Sequence, residues 1–238
     1  MKLAVAAVFA ACTPSLVFAL VGVTWSVSNV PSFGLTNVTF RFDIANAPHK
    51  AGYYFAQQFR FVGRSDVGYT GLQPRPDSNG QPVVHAVFSS FIAGTTTSDS
   101  NCAGNDGSGV SCAVDFSAPY TDGFALEIVK TPDTVATWTG TAVDATTGSR
   151  VHIGTWTLPA GTQGITGNQV GFVEYYSWDD GQQHSCDTLP YTEVTFGDPI
   201  SPGYTGIVGD AYGYGDCVGQ VGFQSMRTAK GVQVKVGF

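Results

Sequence analysis

The sequence predicts an all-β chain, an antiparallel β-sandwich of jelly-roll (concanavalin-like) form. Three observations carry this. About ten short runs alternate apolar and polar residues at intervals of ten to fifteen residues. No window of a dozen residues carries a helical period. Charged residues make up only 12% of the chain, against 13% aromatics and 30 glycines; a disordered chain has more charge and fewer rings.

Residues 1–19 read as a leader. Lys2 is followed by an apolar run and the small-residue ending Val17-Phe18-Ala19, which predicts a secretory signal peptide cut after Ala19. Thr13, Pro14 and Ser15 interrupt the run and argue against a membrane anchor. The leader takes Lys2 away from a chain whose net charge is already −7. Nucleic acid and an anionic membrane surface would both be repelled, so neither is an expected partner.

Two strands follow, over 21–27 and 38–44. Between them Asn37-Val38-Thr39 is an N-glycosylation sequon, which would require Asn37 to face solvent. Residues 52–91 then form the stretch around which the chain is organised. Strand 53–61 sends Tyr53, Phe55, Gln57, Phe59 and Phe61 one way and Tyr54, Ala56, Gln58 and Arg60 the other. A second strand spans 68–73, a loop spans 74–80 on Pro74, Pro76, Asp77, Asn79 and Gly80, and a third strand spans 83–91 with His85 in its middle. A polar loop over 93–111 leads to strands at 114–116 and 124–130, a turn at Pro132 and Asp133, and a hairpin. The hairpin pairs 135–143, carrying Trp138, with 150–158, where Val151, Ile153 and Thr155 oppose His152, Gly154 and Trp156. Further strands lie at 170–178 and 191–196. Beyond 199 the chain turns rich in Gly and Tyr, then alternates through Val232, Val234, Val236 and Phe238. This divides the chain into a leader (1–19), a sandwich domain (20–199) and an extension (200–238) that returns to the sheet.

Cys12 belongs to the leader. The remaining Cys102, Cys112, Cys186 and Cys217 are an even number in an exported chain and predict two disulfides. Cys102 and Cys112 flank a glycine-rich loop and close a short ring, which pairs Cys186 with Cys217. Zinc is the rival use, but no Cys-x-x-Cys or His pair has ligand spacing.

The runs Gly52-Tyr53-Tyr54, Gln58-Phe59, Gly68-Tyr69-Thr70-Gly71-Leu72-Gln73 and the strand 84–91 resemble the domain of unknown function 3472 family, over about residues 36–196. The Cys102–Cys112 loop, the strand ending near Lys130 and the Trp-containing hairpin continue the likeness. The resemblance implies a secreted or surface β-rich domain, often beside carbohydrate-active partners. It supplies no catalytic residues.

Two segments concentrate aromatic and amide side chains: the central stretch, and 174–184 with Glu174, Tyr175, Tyr176, Trp178, Asp179, Asp180, Gln182, Gln183 and His184. Sugar recognition needs aromatic faces and planar polar groups, so a glycan-binding face is expected from Tyr54, Gln58, Arg60, Tyr176, Trp178, Asp180 and Gln183. The rival use of these rings is core packing. The alternative function is a lyase or glycoside hydrolase on the same scaffold, with Glu174, His85, Tyr176 and His184 as catalytic candidates; hydrolysis would need two carboxyl groups flanking the bond. A third reading is a structural or host-interacting secreted protein with no sugar site. No Gly-x-Ser-x-Gly, His-Glu-x-x-His, P-loop or dinucleotide fingerprint is present. No cofactor is expected. Calcium is the one ion whose ligand chemistry the 99–106 loop offers, through Asp99, Asn101 and Asp106, although the spacing departs from a calcium loop after its start.

Overall fold

The computed structural model describes residues 19–104, 109–132, 134, 136–178 and 184–238. The predicted leader, save Ala19, lies outside them, as do Asp106, Asp133, Asp179, Asp180, Gln182 and Gln183. Fifteen strands are described: β1 (Ala19–Val27), β2 (Asn37–Asp43), β3 (Tyr53–Arg60), β4 (Val67–Ser78), β5 (Gln81–Ser90), β6 (Cys102–Gly104), β7 (Val110–Ser117), β8 (Phe124–Lys130), β9 (Thr137–Asp144), β10 (Arg150–Thr157), β11 (Asn168–Tyr175), β12 (Thr192–Phe196), β13 (Gly206–Gly213), β14 (Gln224–Thr228) and β15 (Gly231–Val236). They form two antiparallel sheets, one ordered β13-β1-β11-β3-β4-β5-β7-β6 and the other β10-β9-β8-β2-β12-β15-β14. The chain is the predicted β-sandwich.

Period-two alternation dictates the core. Tyr53, Phe55, Phe59 and Phe61 are all at most 1% exposed, and Val38, Phe40 and Phe42 of β2 are buried with them. Trp25 meets Phe40 edge-on at 5.0 Å. The two sheets interlock through glycines. Phe88 of β5 lies over Gly140, where a Cβ would stand 2.6 Å from the ring. Both disulfides form with the predicted pairing, Cys102–Cys112 and Cys186–Cys217. The first ties β6 to β7 and seats its sulfurs over Gly154 of β10, 2.5 and 2.6 Å from where a Cβ would be. Residues 200–238 supply β13 to the first sheet and β14 and β15 to the second, with Val232, Val234 and Val236 buried.

Four expectations need correction. The loop expected over 74–80 is mostly strand: Pro74 pairs with Val84 and Arg75 with Val83. Only Asn79 and Gly80 turn, both at positive φ (51° and 72°), as a two-residue hairpin of matching twist requires. Pro74 and Pro76 fit because the ladder to β3 ends at Phe55–Leu72, so no partner there needs their missing N–H. In β10 a register shift between His152 and Gly154 breaks the alternation, so Ile153 and Trp156 both turn inward. The strand expected over 170–178 ends at Tyr175; Tyr176–Trp178 is a 3₁₀ turn. Asn37, expected to face solvent, begins the central strand β2 half-buried, with its Oδ1 shielded and without a hydrogen bond among the described residues.

Gln57 follows Phe55 into the core. It is fully buried against Gly171, and among the described residues neither atom of its amide has a hydrogen-bond partner. A buried unpaired amide costs about 1–3 kcal/mol. Gln57→Met, of similar length and apolar, is therefore expected to raise the urea midpoint without changing the slope. A fall would mean that an internal water satisfies the amide.

Candidate functional site

The residues on the other side of β3 face outward from the first sheet. β3 pairs with β11 so that Tyr54 lies beside Glu174 and Ala56 beside Phe172. On its other flank β3 pairs with β4, placing Ala56 beside Gly71 and Gln58 beside Tyr69. β5 and β7 extend the same rows, with Gln73 beside His85 and His85 beside Asp115. Asp115, His85 and Gln73 form one paired row of this outer face and Tyr54 and Glu174 another; carrying the β3–β4 register one step past its last pair, Phe55–Leu72, brings the two rows level at Gln73 and Tyr54. Of the two segments singled out in the sequence, strands from 52–91 meet Glu174 and Tyr176 of 174–184 here, in the middle strands of the eight-stranded sheet.

Small residues make room for the rings. Gly71 has no side chain, and the Tyr54 ring lies over it; a Cβ there would stand 2.7 Å from Cε2. Gly22 of β1 is covered in the same way by Tyr212. Tyr54, Ala56 and Phe172 form a small apolar cluster on this face, flanked by Tyr69, Val87, Tyr176 and Tyr214. Tyr54 and Tyr69 each meet the Phe172 ring edge-on, at 5.7 and 5.3 Å.

Glu174 is 8% exposed. Burial pushes the phenols of Tyr54 and Tyr69 up, and the Glu174 carboxylate pushes both further. The Tyr214 phenol is raised by burial first, then by Tyr212 and Glu174. The carboxylate thus sits among three phenols that stay protonated, each able to donate. The Tyr54 hydroxyl is buried and makes no hydrogen bond among the described residues.

Gln73 is held by its neighbour. Arg75 Nη2 donates to Gln73 Oε1 at 2.7 Å, which fixes the amide and leaves Nε2 to donate. Arg75 Nη1 donates to Tyr176 Oη at 2.5 Å, and the guanidinium lies 5.9 Å from the Tyr176 ring centroid. Tyr176 Oη also accepts from the Gly52 N–H at 2.9 Å. The next pair along the row is His85 Nδ1 and Asp115 Oδ1, 2.6 Å apart. Burial lowers the His85 pKa, with Arg75 acting in the same direction and Asp115 against it.

The expected site residues divide. Tyr54, Gln58, Tyr176, Glu174 and His85 share the outer face, and Arg60 stands at its far end. Trp178, expected as a stacking platform, is 8% exposed and belongs to the core. The 3₁₀ turn carries it off the β11 alternation, and its ring stacks on His184 at 4.2 Å and meets Tyr175 edge-on. His184 pairs with Asp216. His184 and Asp216 also lie near Cys217, whose sulfur is committed to the disulfide. In the expected calcium loop, Asp99 Oδ1 accepts from the Asn101 N–H and Oδ2 pairs with His152. Gln73, Arg75, Tyr69, Tyr214 and Phe172 were missed as site residues. Alternation along β4 (Tyr69, Gly71, Gln73, Arg75) would have found three of them once 74–80 is read as strand.

No family model matches the chain, and no curated protein matches it. Among solved structures it is similar to scytalido-glutamic peptidase with a peptide-based transition-state analog, at 11% identity over 93% of this chain and 99% of that one, TM-score 0.48. It is similar to SCP-B, a member of the eqolisin family of peptidases, in complex with the tripeptide Ala-Ile-His, at 10% identity over 93% and 99%, TM-score 0.45. The CBM2 module of the evolved Dit of Lactobacillus casei BL23 phage J-1 matches at 16% identity over 64% and 68%, TM-score 0.29. No residue role is carried across at these values.

Proposed function

We propose that the protein is a hydrolase acting on an extended polymer, with Glu174 as its acid–base group. The observation that carries the reading is a carboxylate, 8% exposed, at the centre of an outward sheet face, ringed by phenols and two strands from an amide fixed by Arg75.

Distances along the row decide which bond is favoured. Strands lie about 4.8 Å apart, so Asp115, four strands from Glu174, is roughly 19 Å away. Two-carboxylate glycoside hydrolysis uses separations of about 5 to 9.5 Å. Gln73, two strands away, is roughly 9.6 Å from Glu174 between Cα atoms. A carbonyl laid over Tyr54 would lie between the two side chains. One carboxylate and one oriented amide, the pair this row offers among the described residues, suit amide or ester hydrolysis. Glu174 takes a proton from water as its oxygen adds to the carbonyl carbon, and Gln73 Nε2–H holds the oxygen that becomes negative. Glu174 then returns the proton to the leaving nitrogen or oxygen as its bond to carbon breaks.

A second reading, glycan binding without cleavage, draws on accessible rings at the margin of the same face: Phe91 is 40% and Tyr212 44% exposed, and Phe91 packs on Tyr69 at 4.8 Å. Two disulfides fit an oxidising compartment, so extracellular placement belongs to both readings. The test is to incubate the full chain with denatured protein and with cell-wall polysaccharides, measuring retention, new amino groups and new reducing ends. New amino groups from protein are expected. Reducing ends alone would replace this chemistry with glycoside cleavage. Retention on polysaccharide without new ends would leave the binding reading in its place, and silence throughout would remove both.

A further inference from the structure

Along the outer face from Glu174, β11 leads to a second feature. A cavity of about 570 Å³ opens where β1, β11, β13 and the end of β3 come together. Thr24 and Ser26 of β1, Asn168 and Val170 of β11, and Arg60 of β3 line it from the outward side. Gln169 also lines it; Gln58 Nε2 donates to its Oε1 at 2.7 Å, which leaves the Gln169 NH₂ as a donor.

The lining has a one-sided chemistry. It holds three hydroxyls (Thr24, Ser26 and Thr166), two amides and one guanidinium, and no carboxylate. Arg60 is exposed and makes no ion pair among the described residues. In a chain of net charge −7 with 11 basic side chains, an unneutralised arginine over a donor-rich cavity is a site for an anion, and its planar fork suits a carboxylate. Val170 lies four residues from Glu174 on the same strand, roughly 13 Å at the rise of a β-strand. That is the span of about four residues of an extended peptide.

We propose that this cavity is a distal subsite that takes a carboxylate-bearing unit of the polymer, with Arg60 as its cation. The assignment rests on the polymer-hydrolase reading of the face, and selects acidic over neutral chains. In keeping with the amide cleavage of that reading, the unit is a glutamate or aspartate of an acidic peptide; capture of a uronic-acid oligosaccharide instead is an outcome of the test.

Binding can be measured on the full chain carrying Glu174→Gln, so that nothing is cut. The probes are labelled octapeptides with Glu or Gln at alternate positions, and oligogalacturonate with its methyl ester, followed by fluorescence anisotropy. The Glu peptide should bind roughly tenfold more tightly than the Gln peptide. Arg60→Ala should abolish the preference, Arg60→Lys should retain part of it, and Arg60→Glu should reverse it. Equal affinities for the two peptides, a preference shown only by oligogalacturonate over its ester, a preference that survives Arg60→Ala, or no binding of any probe would overturn the peptide subsite. Hydrolysis is scored separately with the unmodified chain. If that chain cuts nothing, the hydrolase reading falls while the affinity ratio still decides the cavity.

Discussion

Glu174→Gln is expected to reduce polymer hydrolysis by roughly 10³-fold, within the range that general acid–base groups contribute. The substitution keeps the volume and planarity of the side chain and removes only the ability to accept and return a proton. The unfolding midpoint should stay nearly unchanged, because a neutral amide is less costly than a carboxylate at a site with 8% exposure, and Tyr54, Tyr69 and Tyr214 can donate to an amide oxygen. A companion substitution separates chemistry from folding. Gln73→Leu removes the donor that Arg75 orients, and should lower kcat while leaving KM within a few-fold, since the interaction is realised as negative charge develops on the oxygen. Activity retained by Glu174→Gln would remove Glu174 from the chemistry. Equal loss of activity and of stability would make it a structural carboxylate.

How much of this was legible in the sequence depends on the physical signal each residue carries. Strand alternation is local, and it divided β3 correctly, with Gln57 inward and Gln58 outward. The pairing of β3 with β11 is a contact between residues more than a hundred positions apart. Aromatic and amide clustering pointed to both segments, but only the ladder shows that Tyr54 and Glu174 are neighbours. Trp178 was misplaced because alternation was carried past Tyr175, where the backbone changes to a 3₁₀ turn and the face of each side chain is reset. Gln73 and Arg75 were hidden by two prolines that read as a loop. Proline excludes a strand only where its N–H is needed, and that depends on where a neighbouring strand ends. The Asn79-Gly80 pair was the better guide to this hairpin. β14 escaped altogether, because a strand of largely exposed residues at a sheet edge has no buried face to impose a pattern.

The largest expected effect on stability lies in the second sheet. Trp156 is fully buried, stacked on Phe88 with centroids 4.4 Å apart and planes 15° apart, and meets Phe61 edge-on at 6.0 Å. It pairs across the ladder with Trp138, which is also fully buried. These contacts join β10 of one sheet to β5 and the end of β3 in the other, so the ring is part of what holds the sandwich closed. Trp156→Ala removes the whole ring at a site whose neighbours cannot collapse into it, because Phe88 is already seated over Gly140. The expected loss is about 3–5 kcal/mol, a large share of the ~5–15 kcal/mol that holds a typical domain folded. Among the described residues the indole N–H of Trp156 has no hydrogen-bond partner. Trp156→Phe therefore deletes an unpaired donor together with part of the ring, and the two changes oppose one another. Urea unfolding should show a deep fall in midpoint for Trp156→Ala and a small change for Trp156→Phe, with equal slopes. Equal losses for the two variants would mean that the N–H, through an internal water, contributes more than the stacked ring.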